Sequence, residues 1–389
     1  MNSSKVIVVG AGAFGVCAAI ELRRRGHDVT LVDPGPLPHP LASSTDISKF
    51  VRMDYGADDV LTDLGAASLE AWDRWNATWP WAPYCETGLL LLSARPMRPG
   101  SFEGDSFDRV CARGIETERF GTDTLASRFP AWLRDRYVDG YFNPRAGWSP
   151  SGRVVKHLVC LALEAGVELR EGVRFASLIE KGSRVRGIVA VGGVRVEADT
   201  VVVAAGAWTS VLLPHLADRL AVIGQPVFHL QPSDPVPFRP DVFPCWTADI
   251  SRTGWYGFPA NEDGIVKIAN HGPGRLVFPD DPREVAAEDF EKLRDFLSES
   301  LPSLAVAPIV ATRLCLYGDS WDGNFLIDRD PDRPGLVVAA GDSGHGFKFT
   351  PVLGSIIADA VEGRPHPRFA WRARGARTSE DARFLDEGE

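Results

Sequence analysis

Residues 5–33, KVIVVGAGAFGVCAAIELRRRGHDVTLVD, restrict what this chain can fold into more than any other stretch. An apolar, β-branched run meets Gly10, Gly12 and Gly15; a helix-like segment follows, Gly26 ends it, and a second strand closes on Asp33. Strand, G-x-G-x-x-G turn, helix and second strand together make a βαβ unit with a dinucleotide-binding fingerprint. Gly10 permits the tight turn, Gly12 lets the backbone approach a pyrophosphate, and Gly15 lets helix and strand pack closely. The helix N-terminus presents N–H groups to the anion, and Asp33 is placed to accept hydrogen bonds from a ribose.

The rest of the composition bounds the setting. With 389 residues, 44% of them hydrophobic, the chain can bury a large core in more than one folded unit. A net charge of −10 with no block of basic residues argues against nucleic acid as a partner. Cys17, Cys85, Cys111, Cys160, Cys245 and Cys315 are scattered, without a CxxC pair or metal-type spacing. They read as reduced thiols of a cytoplasmic protein, and no metal site is expected. The uncharged run 6–20 is interrupted by three glycines, which suits a buried strand and helix rather than a secretion signal. No other stretch reaches the roughly 18 apolar residues of a membrane span, so a soluble protein is expected.

The fingerprint alone admits NAD or FAD. ADTVVVAAGAWTS (198–210) runs from a strand into Gly206 and Trp208, and RPGLVVAAGDSGHGF (333–347) ends a further strand on a glycine-rich turn. Each could be an ordinary parallel strand of a large α/β sheet. Three strand-to-glycine turns spread over the whole chain suit a ligand long enough to meet all of them, which favours FAD. Between them, residues 86–147 and 219–315 carry turns, aromatics and alternating strand patterns of a mainly antiparallel sheet. The expected fold is α/β plus antiparallel β. An FAD-binding domain over 1–85, 148–218 and 316–370 is interleaved with a substrate domain over 86–147 and 219–315. A charged tail occupies 371–389.

RLCLYGDSWDGNFLIDRDP (313–331) and GDSGHGFKFTPVLG (341–354) are more specific than the fingerprint. With residues 6–55 and 254–271 they resemble flavoproteins of the D-amino-acid oxidase superfamily. The resemblance is to the branch of monomeric sarcosine oxidase, N-methyltryptophan oxidase, pipecolate oxidase and the fructosyl amino acid oxidases (amadoriases). It implies a glutathione-reductase-type Rossmann domain and FAD, bound covalently through Cys315. Further cofactor positions implied by it are Ser43, Ser44, Lys49, Gly206, Trp208, Gly344, His345, Gly346, Phe347 and Lys348. Arg52 and Lys348 are expected to hold a substrate carboxylate, a task suited to converging cations. Lys267 is expected beside the flavin, where a fixed cation stabilises the superoxide formed as O₂ is reduced. His271, Tyr256 and Tyr317 fall on active-site positions of this branch.

What the resemblance implies is oxidation of the C–N bond of a secondary amino acid to an imine that water hydrolyses, with O₂ reduced to H₂O₂, by a monomer. Departures are visible. Lys49 stands where sarcosine oxidases carry an arginine, keeping the charge and losing the planar fork. Asn270 fits amadoriases, yet His271 follows where those carry an acid. An amadoriase or a biosynthetic imine-forming oxidase therefore stays open, as does, outside the enzymes, a flavin-binding scaffold without turnover. An NAD-dependent dehydrogenase is the weakest rival.

Overall fold

The computed structural model describes residues 3–376, 378 and 383. Two compact units emerge, each assembled from three stretches of chain. The first comprises Met1–Lys49, Pro150–Ile223 and Leu316–Ser379; the second comprises Phe50–Ser149, Gly224–Cys315 and Glu380–Glu389.

The first unit is built on a six-stranded sheet. Its order is Leu326–Arg329, Leu336–Ala340, Thr200–Val203, Lys5–Val9, Asp28–Asp33, Glu168–Glu171. All neighbours are parallel except the first pair, in which Leu326 faces Ala340. Val6 to Val9 are at most 5% exposed, as expected of a central strand covered on both faces. Each such side chain contributes about 1.5–3 kcal/mol by leaving water. Helices Ala13–Arg24 and Thr350–Val361 pack so tightly that a β-carbon on Gly354 would fall 2.6 Å from the Cys17 carbonyl oxygen. Pro351 in the first turn suits the start of the latter helix, where its missing N–H costs nothing. The antiparallel edge strand Leu326–Arg329 was not foreseen from sequence.

The segment expected as a charged tail begins with packed residues. Trp371 N–H donates to Asp328 at 2.7 Å, and Arg372 makes two hydrogen bonds to the Asp322 carboxylate. The Trp321 ring carries the guanidinium groups of Arg219 and Arg372 at 5.5 and 4.5 Å. Apart from residues 371–376, 378 and 383, that segment lies outside the described residues.

The second unit is organised by a nine-stranded sheet. Its main order is Arg275–Leu276, Leu220–Leu230, Val266–Asn270, Trp255–Gly257, Cys245–Ala248, Leu89–Ser93, Asp139–Asn143, Glu118–Gly121, and Ile309–Ser320 pairs with Leu220–Leu230. From Leu220–Leu230 to Glu118–Gly121 the ladder is antiparallel except where Cys245–Ala248 runs parallel to Leu89–Ser93. Side chains alternate between its two faces. One face sends Phe228, Leu230, Trp246, Trp255, Val266 and Ile268 into a core completed by Leu293, Phe296 and Leu297 of helix Ala287–Ser300. Trp246 and Trp255 stack on Phe296 at 5.8 and 4.9 Å, so both tryptophans are core residues. The opposite face carries a different set of side chains.

Candidate functional site

Register places that set. His229 faces Lys267, Val227 faces Ala269, Tyr256 faces Ala269 from the other side, and Thr247 faces Tyr256. Alternation adds His271 and Gln225, and the parallel pair adds Leu91 beside Thr247 and Tyr141 beyond it. Three of the residues expected to act together, Lys267, His271 and Tyr256, therefore share one sheet face. Lys267 is 1% exposed, its Nζ 4.9 Å from the centroid of the Phe258 ring. Phe258 in turn touches Phe50, at 4.7 Å between centroids, and Phe50 touches Tyr256 at 5.2 Å. The His271 N–H donates to the Gly254 carbonyl at 2.7 Å. Asn270 points the other way, its amide donating to the Thr253 carbonyl at 2.9 Å.

Arg52 follows the short strand Lys49–Val51 and is 5% exposed. Its guanidinium lies over the Tyr55 ring at 4.7 Å, and its Nη1 has no hydrogen-bond partner among the described residues. Two positions on, Asp54 is fully buried and accepts from the Tyr141 hydroxyl at 2.6 Å and the Asn143 amide at 3.1 Å. Tyr141 and Asn143 both project from the same sheet face as Lys267. Burial pushes the Asp54 carboxyl above its ordinary range, while Tyr141, the Arg52 charge and Asn143 pull it back. Sequence reading missed Asp54, because a lone acid in VRMDYG carries no spacing signal and its partners lie some ninety residues away.

Cys315 is 1% exposed in the strand Ile309–Ser320. Alternation puts Arg313 on its face, while Leu314 turns to the other side and packs against Gly224. Burial and the Arg313 charge push the Arg283 guanidinium down to about 10, with Cys315 and Asp280 acting the other way. The cysteine thus sits in a locally positive setting.

In the first unit the glycine turn is tight. A β-carbon on Gly15 would lie 1.8 Å from the Gly10 carbonyl oxygen, and one on Gly10, whose φ is +101°, would lie 2.5 Å from that of Ala204. A β-carbon on Gly12 would meet only Ser44 Oγ, at 3.4 Å. Ser44 Oγ also accepts from the Ala13 N–H, and the Ser43 hydroxyl donates to the Leu316 carbonyl. Both Asp33 oxygens are engaged, one by Ala11 N–H and the other by Gly35 N–H, each at 2.8 Å. Lys49 Nζ is 4.0 Å from Asp46. Gly206, with φ +53°, leads a short 3-10 turn ending at Trp208, whose ring meets His39 edge-on.

The turn 341–348 is bound to the rest of the unit on several sides. Gly346 packs on Phe14 of the fingerprint, and Gly344 packs on the ring of Tyr317. Asp342 Oδ1 accepts from the N–H groups of Gly344 at 3.0 Å and Gly318 at 3.3 Å. Burial above all, with the like charge of Asp319, pushes Asp342 up to about 6; the two N–H groups and Lys49 act against that. His345 Nε2 pairs with the Gly323 carbonyl at 2.9 Å and its ring stacks on Phe325 at 5.0 Å, which fixes the orientation of the imidazole. Phe347 opens the short turn that carries Lys348, which is 5% exposed and donates to the His345 carbonyl at 3.2 Å. Among the described residues there is no group of three or more His, Cys, Asp or Glu that could hold a metal, and no helix is long and apolar enough to cross a membrane.

The model of the FAD dependent oxidoreductase (DAO) family matches residues 5–360. The chain belongs to that family. This FAD-dependent oxidoreductase is 28% identical to the L-saccharopine oxidase of Schizosaccharomyces pombe, over 96% of this chain and 93% of that protein. It is equally 28% identical to the monomeric sarcosine oxidase of Bacillus sp. (strain B-0618), over 91% and 90%. Among solved structures, amadoriase I of Aspergillus fumigatus superposes with a TM-score of 0.81 at 26% identity, over 99% of this chain and 95% of that one. The residues present fit the cofactor: a helix N-terminus behind a glycine turn, with only the Ser44 hydroxyl close to Gly12, suits a pyrophosphate.

Proposed function

We propose that this FAD-dependent oxidoreductase is an amine oxidase that oxidises the C–N bond of a secondary amino acid to an imine, which water then hydrolyses. The observation that carries this reading is Arg52. A buried guanidinium whose Nη1 has no hydrogen-bond partner among the described residues, beside the Asp54 that Tyr141 of the Lys267 face holds, is suited to a carboxylate. A planar fork binds a carboxylate through two parallel N–H···O bonds, and burial strengthens them. Lys348 is assigned the same carboxylate. FAD, when bound, supplies the two-electron acceptor and passes the electrons to O₂, giving H₂O₂.

The chain's own residues hold and orient. Gly10, Gly12, Gly15, Ser43, Ser44, Lys49, Gly206, Trp208 and the turn Gly344–Lys348 are assigned to the cofactor. Asp33 holds the fingerprint turn and keeps acceptor capacity for a ribose. Cys315 is assigned covalent attachment to the flavin, supported by its burial in a strand beside the positive charges of Arg283 and Arg313. Lys267 is assigned to stabilise the anion formed as O₂ accepts an electron, and Tyr256, Tyr317 and His271 to line the substrate. The enzyme is proposed to act as a cytoplasmic monomer, a reading supported by its dispersed thiols and by the name of its sarcosine-oxidising relative.

The test is peroxide release in air, with anaerobic bleaching of the flavin as a second readout. The panel pairs sarcosine, N-methyl aromatic amino acids, L-proline and L-pipecolate with fructosyl-glycine and fructosyl-valine. Turnover of the first group is expected. Turnover of the second alone would replace the reading by an amadoriase, and bleaching by none would leave a flavin-binding scaffold.

A further inference from the structure

Arg383 stands in RTSEDARFLDEGE (377–389), a stretch whose composition reads as a solvated tail, yet it is 6% exposed and belongs to the second unit. Arginine is almost never buried to that extent unless its guanidinium is engaged. Here Nε donates to the Gly272 carbonyl at 3.2 Å. The same oxygen accepts from Gln225 Nε2 at 2.6 Å. A carbonyl oxygen carries two lone pairs, and at Gly272 side chains take up both.

Gly272 lies just past the end of the strand Val266–Asn270, next to His271. The His271 N–H is held in turn by the Gly254 carbonyl at 2.7 Å. Beyond Gly272 the sheet has no hold on the chain: Pro273 has no N–H to offer a ladder, and Leu276 and Phe278 are 76% and 50% exposed. The end of the strand is thus fixed at His271 by its own N–H and at Gly272 by two side chains. Gln225 comes from within the sheet, on the strand Leu220–Leu230. Arg383 comes from beyond the last strand of the fold, and its charge makes its bond stronger than one from a neutral donor. Nothing in the function proposed above uses it.

We infer that Arg383 is a positioning residue for His271: its bond to the Gly272 carbonyl sets the path of the backbone that presents the imidazole on the Lys267 face. The last residues of the chain are then part of the substrate site and not an appendage to it. The inference rests on the amine-oxidase reading, in which His271 lines the substrate, and adds the group that holds His271 in place. A contact residue left slightly out of position weakens binding even when its own chemistry is intact.

The substrate for the test is the secondary amino acid of the first panel group that turns over fastest. (Methylthio)acetate, which is unreactive, reports binding through the flavin absorbance of the holoenzyme. Arg383→Met should raise KM and Kd by about tenfold, as expected for one lost charge-assisted bond, with kcat far less affected. His271→Ala should weaken binding too, and in that background Arg383→Met should cost nothing further, since both act through one imidazole. Flavin content and Tm are followed in every variant. If Arg383→Met fails to retain flavin, Arg383→Gln, which keeps a neutral donor, carries the same cycle. Equal losses from the Arg383 substitution with and without His271, unchanged KM and Kd, or loss of flavin from both Arg383 variants would each overturn the inference. If no amine bleaches the flavin without oxygen and (methylthio)acetate leaves its spectrum unaltered, the amine-oxidase reading fails, and this inference with it.

Discussion

Gly344 lies so close to Tyr317 that a β-carbon built on it would fall 2.2 Å from the ring carbon Cε2. The glycine also holds φ +80°, a region other residues adopt only under strain. Gly344→Ala must therefore displace either the ring or the turn that carries Lys348. The expected cost is roughly 1–3 kcal/mol, together with weaker flavin retention. Thermal unfolding and the flavin-to-protein absorbance ratio check it; an alanine variant with unchanged values would show that the turn gives way freely.

Asp342 gives a dependence on pH whose sign is fixed by its environment. Its carboxyl is raised from 3.8 to about 6, so the folded chain holds the proton more tightly than the unfolded one. Its contribution is least unfavourable below about pH 4 and worsens as pH rises through about 6, by on the order of 3 kcal/mol. Asp342→Asn keeps an oxygen that can accept from Gly318 and Gly344 and removes the titration. The difference in Tm between variant and wild type should thus grow in the variant's favour from pH 4.5 to pH 7.5. A constant difference would mean that Asp342 titrates normally.

Lys267→Met should slow reoxidation of the flavin far more than its reduction by substrate. Loss of a fixed charge opposite a developing anion typically costs on the order of a hundredfold in rate. Stopped-flow measurement of each half-reaction separates the two, and equal slowing of both would remove the oxygen role from this lysine.

Arg52→Lys should raise KM by about tenfold or more, since a single ammonium cannot supply two parallel bonds to a carboxylate. Asp54→Asn should produce a smaller rise in KM with kcat nearly kept, because Asp54 acts on Arg52 by charge and touches Tyr141 and Asn143 rather than substrate. Steady-state kinetics on one amine substrate decides both. A fall in kcat with constant KM for Arg52→Lys would contradict carboxylate binding.

Cys315→Ala should convert tightly held flavin into flavin that appears in the supernatant after acid precipitation. Wild type should keep its yellow colour in the pellet. Free flavin from both proteins would exclude attachment at this sulfur.

Much of the first unit was legible because its information is local. The fingerprint, Asp33 and the strands that end at Val203 and Ala340 each announce themselves within about fifteen residues. Sheet membership of Leu326–Arg329 was not legible, since an antiparallel edge strand shares its apolar pattern with many loops. In the second unit, Lys267, Tyr256 and His271 were reachable only through resemblance; nothing in GIVKIANH says which face of the strand is covered. That depends on partners from Leu89–Ser93 and Asp139–Asn143, and pairing at such separations leaves no mark on either segment. Asp54 and Asp342 were missed for the same reason. Their character comes from being buried beside distant groups.

The central sheet of the first unit also has a consequence for how the protein is made. Lys5–Val9 leaves the ribosome well ahead of its sheet neighbours: Thr200–Val203 follows almost two hundred residues later, and Leu336–Ala340 later still. The dinucleotide fingerprint thus waits, unpaired on one side, until Thr200–Val203 is made, while the stretch Phe50–Ser149 of the second unit emerges. A message truncated before Leu336–Ala340 yields no shortened enzyme: it yields a fingerprint whose sheet was never completed.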